Sequence, residues 1–305
     1  MTEDLPALPD VDMDAFYDMV FAMGFDQPAP GFAFERRTGR GGHVPIALDA
    51  PFGEQGPMLF RFGDMLSLLF NWSTVQSGMR VSDPDHLLFD YTRMMMAFRL
   101  FCPQPARIEM IGLGGGSLAK ACYRALPDCD ITVVEIDPEV IALREHFCIP
   151  ADDERFRVIC ADGVDFVARD ESRPDVLLID GFDARGLPAS LSTPDFYAAC
   201  RARLGDHGLM VANLCNNFWP YARLLRKIGA AFDGRVVAVP AEHRGNRIVF
   251  ASADPVFPPP LPPRSPVATG LIADHAIDYR AKARRLAPAL RRWHDRATGH
   301  HLFRT

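Results

Sequence analysis

Four carboxylates in the middle of the chain each close an apolar run: Glu135 in VVEID, Asp162 in RVICADG, and Asp180 and Asp183 in LLIDGFD. Before them, IEMIGLGGGSL places Gly112, Gly114, Gly115 and Gly116 within five positions, straight after another apolar run. Such a turn lets a ligand approach the backbone with no side chain in the way, although a tight turn needed for packing is the competing explanation. Glu135 lies nineteen residues beyond Gly116, close to the ~20 expected of an acidic residue that accepts hydrogen bonds from ribose hydroxyls. Its neighbour Asp137 is expected to cap the helix that opens at Pro138. Asp162 can accept from the exocyclic amine of an adenine or cap a helix at Val164, and the sequence leaves both open. Asp180 and Asp183, two carboxylates three apart at a strand end, are poorly explained by packing. No His, Ser or Cys catalytic cluster and no C-x-x-C pair is present, so no metal site is expected.

Positioning these groups takes alternating elements. The pattern reads IEMIGL, a helix from Ser117 to Ala125, ITVVEID, a helix from Pro138 to His146, RFRVICAD, a helix from Val164 to Arg169, DVLLIDGF, a helix from Pro194 to Leu204, and GLMVANL. Five strands separated by helices predict an α/β fold, a Rossmann-like, doubly wound and mostly parallel sheet, with a ligand crevice at the carboxyl ends of its strands. Upstream, an amphipathic helix is expected around Met13–Met23 and a small antiparallel β unit over Gly42–Ser77. One helix is expected over Pro84–Phe101, with Leu87, Leu88, Tyr91, Met94, Met95, Phe98 and Phe101 on one face. Downstream come a helix at Trp219–Phe232, the strands GRVVAVPA and RIVFASA split by the turn EHRGN, an extended proline-rich stretch at Asp254–Pro266, and a basic helical tail at Ile272–Thr305. The expected division is 1–83 for the N-terminal helix and β unit, 84–253 for the catalytic domain, and 254–305 for linker and tail.

Composition narrows the class. Hydrophobic residues at 48% and charged residues at 24% are those of a soluble globular enzyme, and no apolar run approaches a membrane span. The acidic N-terminus lacks a secretory signal pattern, so the expected location is the cytoplasm. A net charge of −6 argues against nucleic acid and would draw in a cationic partner such as an amine. The seven cysteines are expected as reduced core thiols, Met94–Met96 as core and helix surface, and His300 and His301 as a solvated tail. The basic tail is expected to dock on the acidic body or form a dimer contact, with nucleic acid or acidic lipid as the alternative reading.

The G-x-G-x-G spacing of Gly112, Gly114 and Gly116 resembles the first motif of class I S-adenosylmethionine-dependent enzymes. More specifically, the run from Gln76 to about Val211 resembles the spermidine synthase family of polyamine aminopropyltransferases. The likeness rests on Gln76-Ser77, Tyr91-Thr92-Arg93, Gly112-Leu113-Gly114-Gly115-Gly116, Val134-Glu135-Ile136-Asp137, Ala161-Asp162-Gly163, Asp180-Gly181-Phe182-Asp183-Ala184 and Ala189-Ser190-Leu191-Ser192-Thr193-Pro194-Asp195-Phe196-Tyr197. The family shows Q-[ST], Y-H-E, GGGDG, V-E-I-D, G-D-[GA], D-x-x-D-P and E-S-L-F-x-x-x-F-Y in that order. The resemblance implies transfer of an aminopropyl group from decarboxylated S-adenosylmethionine to a small amine or polyamine, in polyamine biosynthesis, by a homodimer without a metal. It implies that Gln76 touches the nucleoside, that Glu135 with Ile136 holds the ribose, and that Asp162 with Gly163 meets the adenine along the glycine turn. Asp180 would orient or deprotonate the attacking amine, and Tyr91 and Asp183 would line its pocket. An alkyl amine has a pKa near ~10 and is not nucleophilic at neutral pH until a base takes its proton.

Three family positions differ. The Asp of GGGDG is Gly115, the His and Glu of Y-H-E are Thr92 and Arg93, and Q-G-E after the fifth strand is Asn213-Leu214-Cys215. Negative charge is lost at both the donor and the acceptor end. Two alternatives therefore accompany the leading reading: transfer of a methyl or aminocarboxypropyl group from S-adenosylmethionine itself, and a catalytically silent nucleoside-binding homologue.

Overall fold

The computed structural model describes residues 33–38, 42–44, 56–62, 64–71, 74–169, 172–183, 186–215, 221–241, 246–259 and 277–297. The expected helix at Met13–Met23, most of the EHRGN turn, and His300 and His301 lie outside them.

An antiparallel sheet of five strands comes first: β1 (Ala33–Thr38), β2 (Gly42–Val44), β3 (Met58–Phe62), β4 (Met65–Asn71) and β5 (Thr74–Arg80), in the order β2-β1-β3-β4-β5. Its last strand carries Gln76 and Ser77. The helix α1 covers Asp90–Met95 and tightens into a 3-10 turn over Met96–Leu100, which is shorter than the expected Pro84–Phe101. Side chains have taken the carbonyls that a longer helix would need. The Arg93 guanidinium donates to Leu87 O (2.5 Å) and Leu88 O (2.9 Å), and Lys120 Nζ donates to Pro84 O (2.6 Å).

The main sheet follows as β6 (Arg107–Ile111), α2 (Ser117–Ala125), β7 (Asp130–Glu135), α3 (Pro138–Ala142) with a 3-10 turn at Arg144–Phe147, β8 (Phe156–Cys160), α4 (Gly163–Ala168), β9 (Val176–Ile179), α5 (Pro194–Leu204) and β10 (Leu209–Cys215). It is completed by α6 (Tyr221–Ala231), β11 (Val236–Pro240) and β12 (Asn246–Ser252). The strand order is β11-β12-β10-β9-β6-β7-β8. β10, β9, β6, β7 and β8 run parallel, whereas β12 is antiparallel to both β10 and β11. The chain leaves β6 toward β7 and β8, then returns to place β9 on the other side of β6. A crevice opens at that reversal, at the carboxyl ends of the strands.

Burial explains why these runs are apolar throughout instead of alternating. Residues of β6 and β7 face both layers: Ile108, Met110, Ile131 and Val133 pack with Met94–Phe98 and Phe147, while Ile111 and Val134 pack with Phe196, Tyr197 and Leu224. Thr193 caps α5, accepting from Phe196 N at 3.0 Å. Across the second layer a charge pair is sealed in: Arg203 of α5 grips Glu109 of β6 through Nε (2.5 Å) and a terminal nitrogen (3.0 Å), and Ser172 Oγ adds a bond at 2.6 Å.

The basic tail forms α7 (Tyr279–Ala297), which docks on the body. Tyr279, Ala283, Leu286 and Leu290 are buried, Arg285 donates to Pro240 O (2.9 Å) and Ala241 O (2.6 Å), and Trp293 Nε1 donates to Gly234 O (3.0 Å). None of the described helices is long and apolar enough to cross a membrane. The cysteine expectation needs correcting: Cys122, Cys129 and Cys200 are buried, but Cys148 and Cys160 are exposed, the first in a left-handed residue after a 3-10 turn and the second at the end of the sheet's edge strand.

Truncating one partner of the Glu109–Arg203 pair strands a buried charge. Glu109→Leu is expected to lower the unfolding free energy by about 3–5 kcal/mol in denaturant melts. The double variant Glu109→Leu/Arg203→Met is expected to recover most of the loss.

Candidate active site

Apolar β6 delivers the chain to the crevice, and the glycine turn begins where it meets the end of β9. Gly112 has φ +99°, and a Cβ there would stand 2.4 Å from Asp180 O. Gly115 has a different reason to be bare, since a Cβ would meet Ser77 Oγ at 2.6 Å and the Phe147 ring at 2.9 Å. At Gly114, by contrast, the nearest atom to an added Cβ is Ser77 Cβ at 3.6 Å. Gly112, Leu113 and Gly114 line the cleft, whereas Gly115 and Gly116 stand behind it against Phe147 and Ile149. Much of the glycine pattern is therefore demanded by the protein's own packing, and Gly114 is the position left open to a ligand.

One wall is built from the ends of β7 and β8. Glu135 is buried and accepts from Leu113 N (2.9 Å) on one oxygen and Asp137 N (3.0 Å) on the other. Each carboxylate oxygen has more than one lone pair, so two further acceptor directions remain for hydroxyls in the cleft. Ile136, with 63% exposure, covers the same wall. Asp162 caps α4 through Val164 N at 2.7 Å and also lines the cleft, so both roles open in the sequence are compatible. Asp137 caps α3, accepting from Glu139 N at 2.8 Å. Gln76 reaches over from β5 and donates to Asp183 O at 3.3 Å. Gly163 packs tightly on Ile111 and also reaches the cleft.

The opposite wall is built from β9 and α1. Asp180 Oδ1 accepts from Asn213 Nδ2 at 2.9 Å, and Asn213 Oδ1 accepts from Asn246 Nδ2 at 2.9 Å. The Tyr91 hydroxyl also bonds to the Asp180 carboxylate. Burial pushes the Asp180 carboxyl up to about 6, and the Asn213 and Tyr91 hydrogen bonds partly oppose that rise. Burial, followed by the Asp180 charge, drives the Tyr91 hydroxyl well above the ordinary tyrosine range, so it remains a donor at neutral pH. Asp183 is exposed at the rim, its backbone paired in both directions with Gly186. Thr92 is buried at the cleft wall and bonds Phe89 O (2.6 Å), while Arg93 turns away to the carbonyls of Leu87 and Leu88.

The structure thus brings Gln76, Tyr91, Gly112, Gly114, Glu135, Ile136, Asp162, Gly163, Asp180 and Asp183 to one cleft. Four carboxylates line it, and among the described residues no Lys, Arg or His does. Such a surface suits a cationic ligand. Asn246 was not singled out in the sequence, and neither was the buried Lys120. Lys120 Nζ donates to Pro84 O (2.6 Å) and Phe147 O (2.7 Å) and touches Met79 Sδ (3.2 Å), tying β5 to the turn behind the glycines. Burial lowers its pKa to about 8. A lone lysine in an amphipathic helix carries no signal of such a role.

The model of the spermine/spermidine synthase domain matches residues 88–235. A polyamine aminopropyltransferase of Chromobacterium violaceum is 37% identical over 190 residues, covering 62% of this chain and 73% of that protein. A spermidine synthase solved in complex with the transition state analogue AdoDATO superposes with a TM-score of 0.55 at 22% identity, over 76% of this chain and 85% of that one. Human methyltransferase-like protein 13, solved in complex with SAH, superposes with a TM-score of 0.50 at 22% identity, over 64% of this chain and 92% of that one.

The raised pKa of Asp180 has a stability consequence. A carboxyl whose folded value lies above its unfolded value of 3.8 contributes most below about pH 4, and that contribution is lost as the pH rises through about 6. Asp180→Asn is therefore expected to unfold at higher denaturant concentration than the wild type at pH 7.5, by about 1–3 kcal/mol at about 1.4 kcal/mol per pKa unit, with the difference vanishing at pH 4.

Proposed function

The chain belongs to the spermine/spermidine synthase family, and from that premise we propose that it transfers an aminopropyl group from decarboxylated S-adenosylmethionine to a small amine. The observation that carries this reading is a cleft with four carboxylates and no cationic side chain among its described lining residues. Both reactants, a sulfonium and an ammonium, are cations.

The residues fit a nucleoside at one end. Gly114 leaves room at the turn, Glu135 keeps acceptor capacity for ribose hydroxyls, and Asp162 stands where an adenine amine would be met. At the other end Asp180 receives the acceptor's proton. The freed amine nitrogen attacks the carbon beside sulfur, the new N–C bond forms as the C–S bond breaks, and the electron pair leaves on sulfur as methylthioadenosine. The sulfonium is already charged, so the leaving group needs no acid. For an ordinary carboxyl and an alkyl amine the proton transfer is uphill by about 6.5 pKa units, roughly 9 kcal/mol. With Asp180 at about 6 the gap narrows to about 4 units, roughly 6 kcal/mol, which fits within the ~16 kcal/mol barrier of a turnover near 10 per second. Tyr91 and Asn213 hold the carboxylate in place while the charge moves.

A second reading, in which the donor is S-adenosylmethionine and a methyl or aminocarboxypropyl group moves, is favoured by the turn itself. The first backbone bond of α2 runs from Lys120 N to Gly116 O, so the amides of Ser117, Leu118 and Ala119 have no partner within the helix. No side chain caps that helix end. The hydroxyl of buried Ser77 lines the same part of the cleft. Amide donors and a hydroxyl suit the carboxylate that the decarboxylated donor lacks.

Calorimetry separates the two readings: aminopropyl transfer requires that decarboxylated S-adenosylmethionine and methylthioadenosine bind, while tighter binding of S-adenosylmethionine moves the assignment to the second. In steady-state assays Asp180→Asn is expected to lower kcat by about 10²–10⁴-fold with donor affinity within about threefold of wild type. Glu135→Ala is expected to weaken donor binding at least tenfold, about 1.4 kcal/mol. Equal losses of kcat and donor affinity in Asp180→Asn would remove that residue from the acceptor side.

A further inference from the structure

Behind Asp180, away from the cleft, a row of polar side chains crosses three strands. The register of β9 and β10 pairs Ile179 with Ala212, so the next residues, Asp180 and Asn213, are neighbours on one face. The register of β10 and β12 pairs Cys215 with Asn246, and Asn213, two residues before Cys215, shares that face diagonally. The result is a chain of directed bonds: Asn246 Nδ2 to Asn213 Oδ1, then Asn213 Nδ2 to Asp180 Oδ1, each 2.9 Å. Asn213 is 2% exposed and is absent from the cleft wall, so it reaches reacting groups only through Asp180.

We propose that Asn246 is a positioning residue that, by donating to Asn213, fixes which end of that amide faces Asp180 and so favours the ionised carboxylate. This rests on the reading of Asp180 as the proton acceptor. A primary amide can present either its carbonyl or its N–H₂ group. Facing a carboxylate the N–H₂ end attracts, whereas the carbonyl end repels the ionised form and accepts from the protonated one. The donor at Asn246 occupies the carbonyl end of Asn213, which leaves the N–H₂ end for Asp180. The other groups around the carboxyl are the Tyr91 hydroxyl from α1, with Asp90 close to it, Asp183 further along the same loop, and Glu135 across the cleft. Tyr91 favours the ionised form, as Asn213 does, and burial disfavours it. Among the cleft's described lining residues no cation is present to stabilise Asp180, so its neutral donors carry that task.

The test follows the carboxyl itself. In protein labelled with ¹³C at aspartate carboxyls, the Asp180 resonance is identified by its loss in Asp180→Asn and titrated in the wild type, Asn246→Leu, Asn246→Asp and Asn246→Gln. Removing the donor in Asn246→Leu is expected to raise the midpoint by about half a pH unit. Asn246→Asp, which accepts from Asn213 and turns its amide over, is expected to raise it by about one unit, a tenfold change in the protonation equilibrium. Asn246→Gln, which keeps an amide donor, is expected to return the midpoint toward wild type. An unchanged midpoint in both Asn246→Leu and Asn246→Asp overturns the proposal, and so does a rise in Asn246→Asp alone, because the added charge then explains it. Turnover is read in parallel on the same variants. If the midpoint rises in Asn246→Leu and Asn246→Asp but the acid limb of kcat does not follow, the positioning role stands and the assignment of Asp180 as proton acceptor fails.

Discussion

The backbone contact between Gly112 and Asp180 decides the geometry of the whole cleft. A Cβ at residue 112 would lie 2.4 Å from Asp180 O, and two further bonds, Asp180 N to Ile111 O (2.9 Å) and Gly112 N to Val134 O (2.8 Å), stitch the ends of β9, β6 and β7 together. From this seam the chain turns one way into α2 and the other way into the loop that carries Asp180 and Asp183. The spacing between the nucleoside end and the amine end is set by main-chain atoms of a parallel sheet at its reversal point. Side chains around the rim can then vary without moving the two ends apart.

Charge inside this frame is handled in two ways. At two structural positions buried charge is fully partnered: Arg203 is paired bidentately with Glu109, and Lys120 is wrapped by two carbonyls and a thioether. Glu135 likewise spends both oxygens on backbone amides while keeping spare lone pairs. Asp180 differs. Its partners are an amide and a phenol, both neutral, and they do not offset its burial, so its carboxyl is held near 6. A group whose two protonation states are close in free energy at neutral pH is suited to taking and releasing a proton, and the cost is some stability of the ionised form.

The two ends of the cleft also differ in what they offer. The glycine turn presents amides and a buried hydroxyl, whereas the Asp180 end presents oxygen acceptors. A side chain at Gly115 would run into Ser77 and Phe147. The space beside residue 115 is taken up by Ser77 of β5 and the Phe147 ring, which pack against the turn there.

Much of this was legible in the linear chain. Apolar runs ending in a glycine turn, Glu135, Asp162 and Asp180 specified a parallel sheet with its acidic residues at one edge, because a strand buried on both faces must be apolar along its length and can place polar groups only where it ends. Asp137 and Asp162 announced helix starts, since capping acts over two or three residues. The helix beginning at Pro84 was misjudged because Arg93 and Lys120 capture its carbonyls, and the second of these comes from the far side of the glycine turn. The Asn246–Asn213–Asp180 row was invisible for the same reason. It depends on which strands become neighbours and in what register, and an asparagine pair separated by more than thirty residues acquires meaning only when β10 is inserted between β9 and β12. Local sequence determines where a strand ends and what group it ends on; only the folded sheet decides which of those groups touch, because contact across strands is a property of pairing and not of the chain.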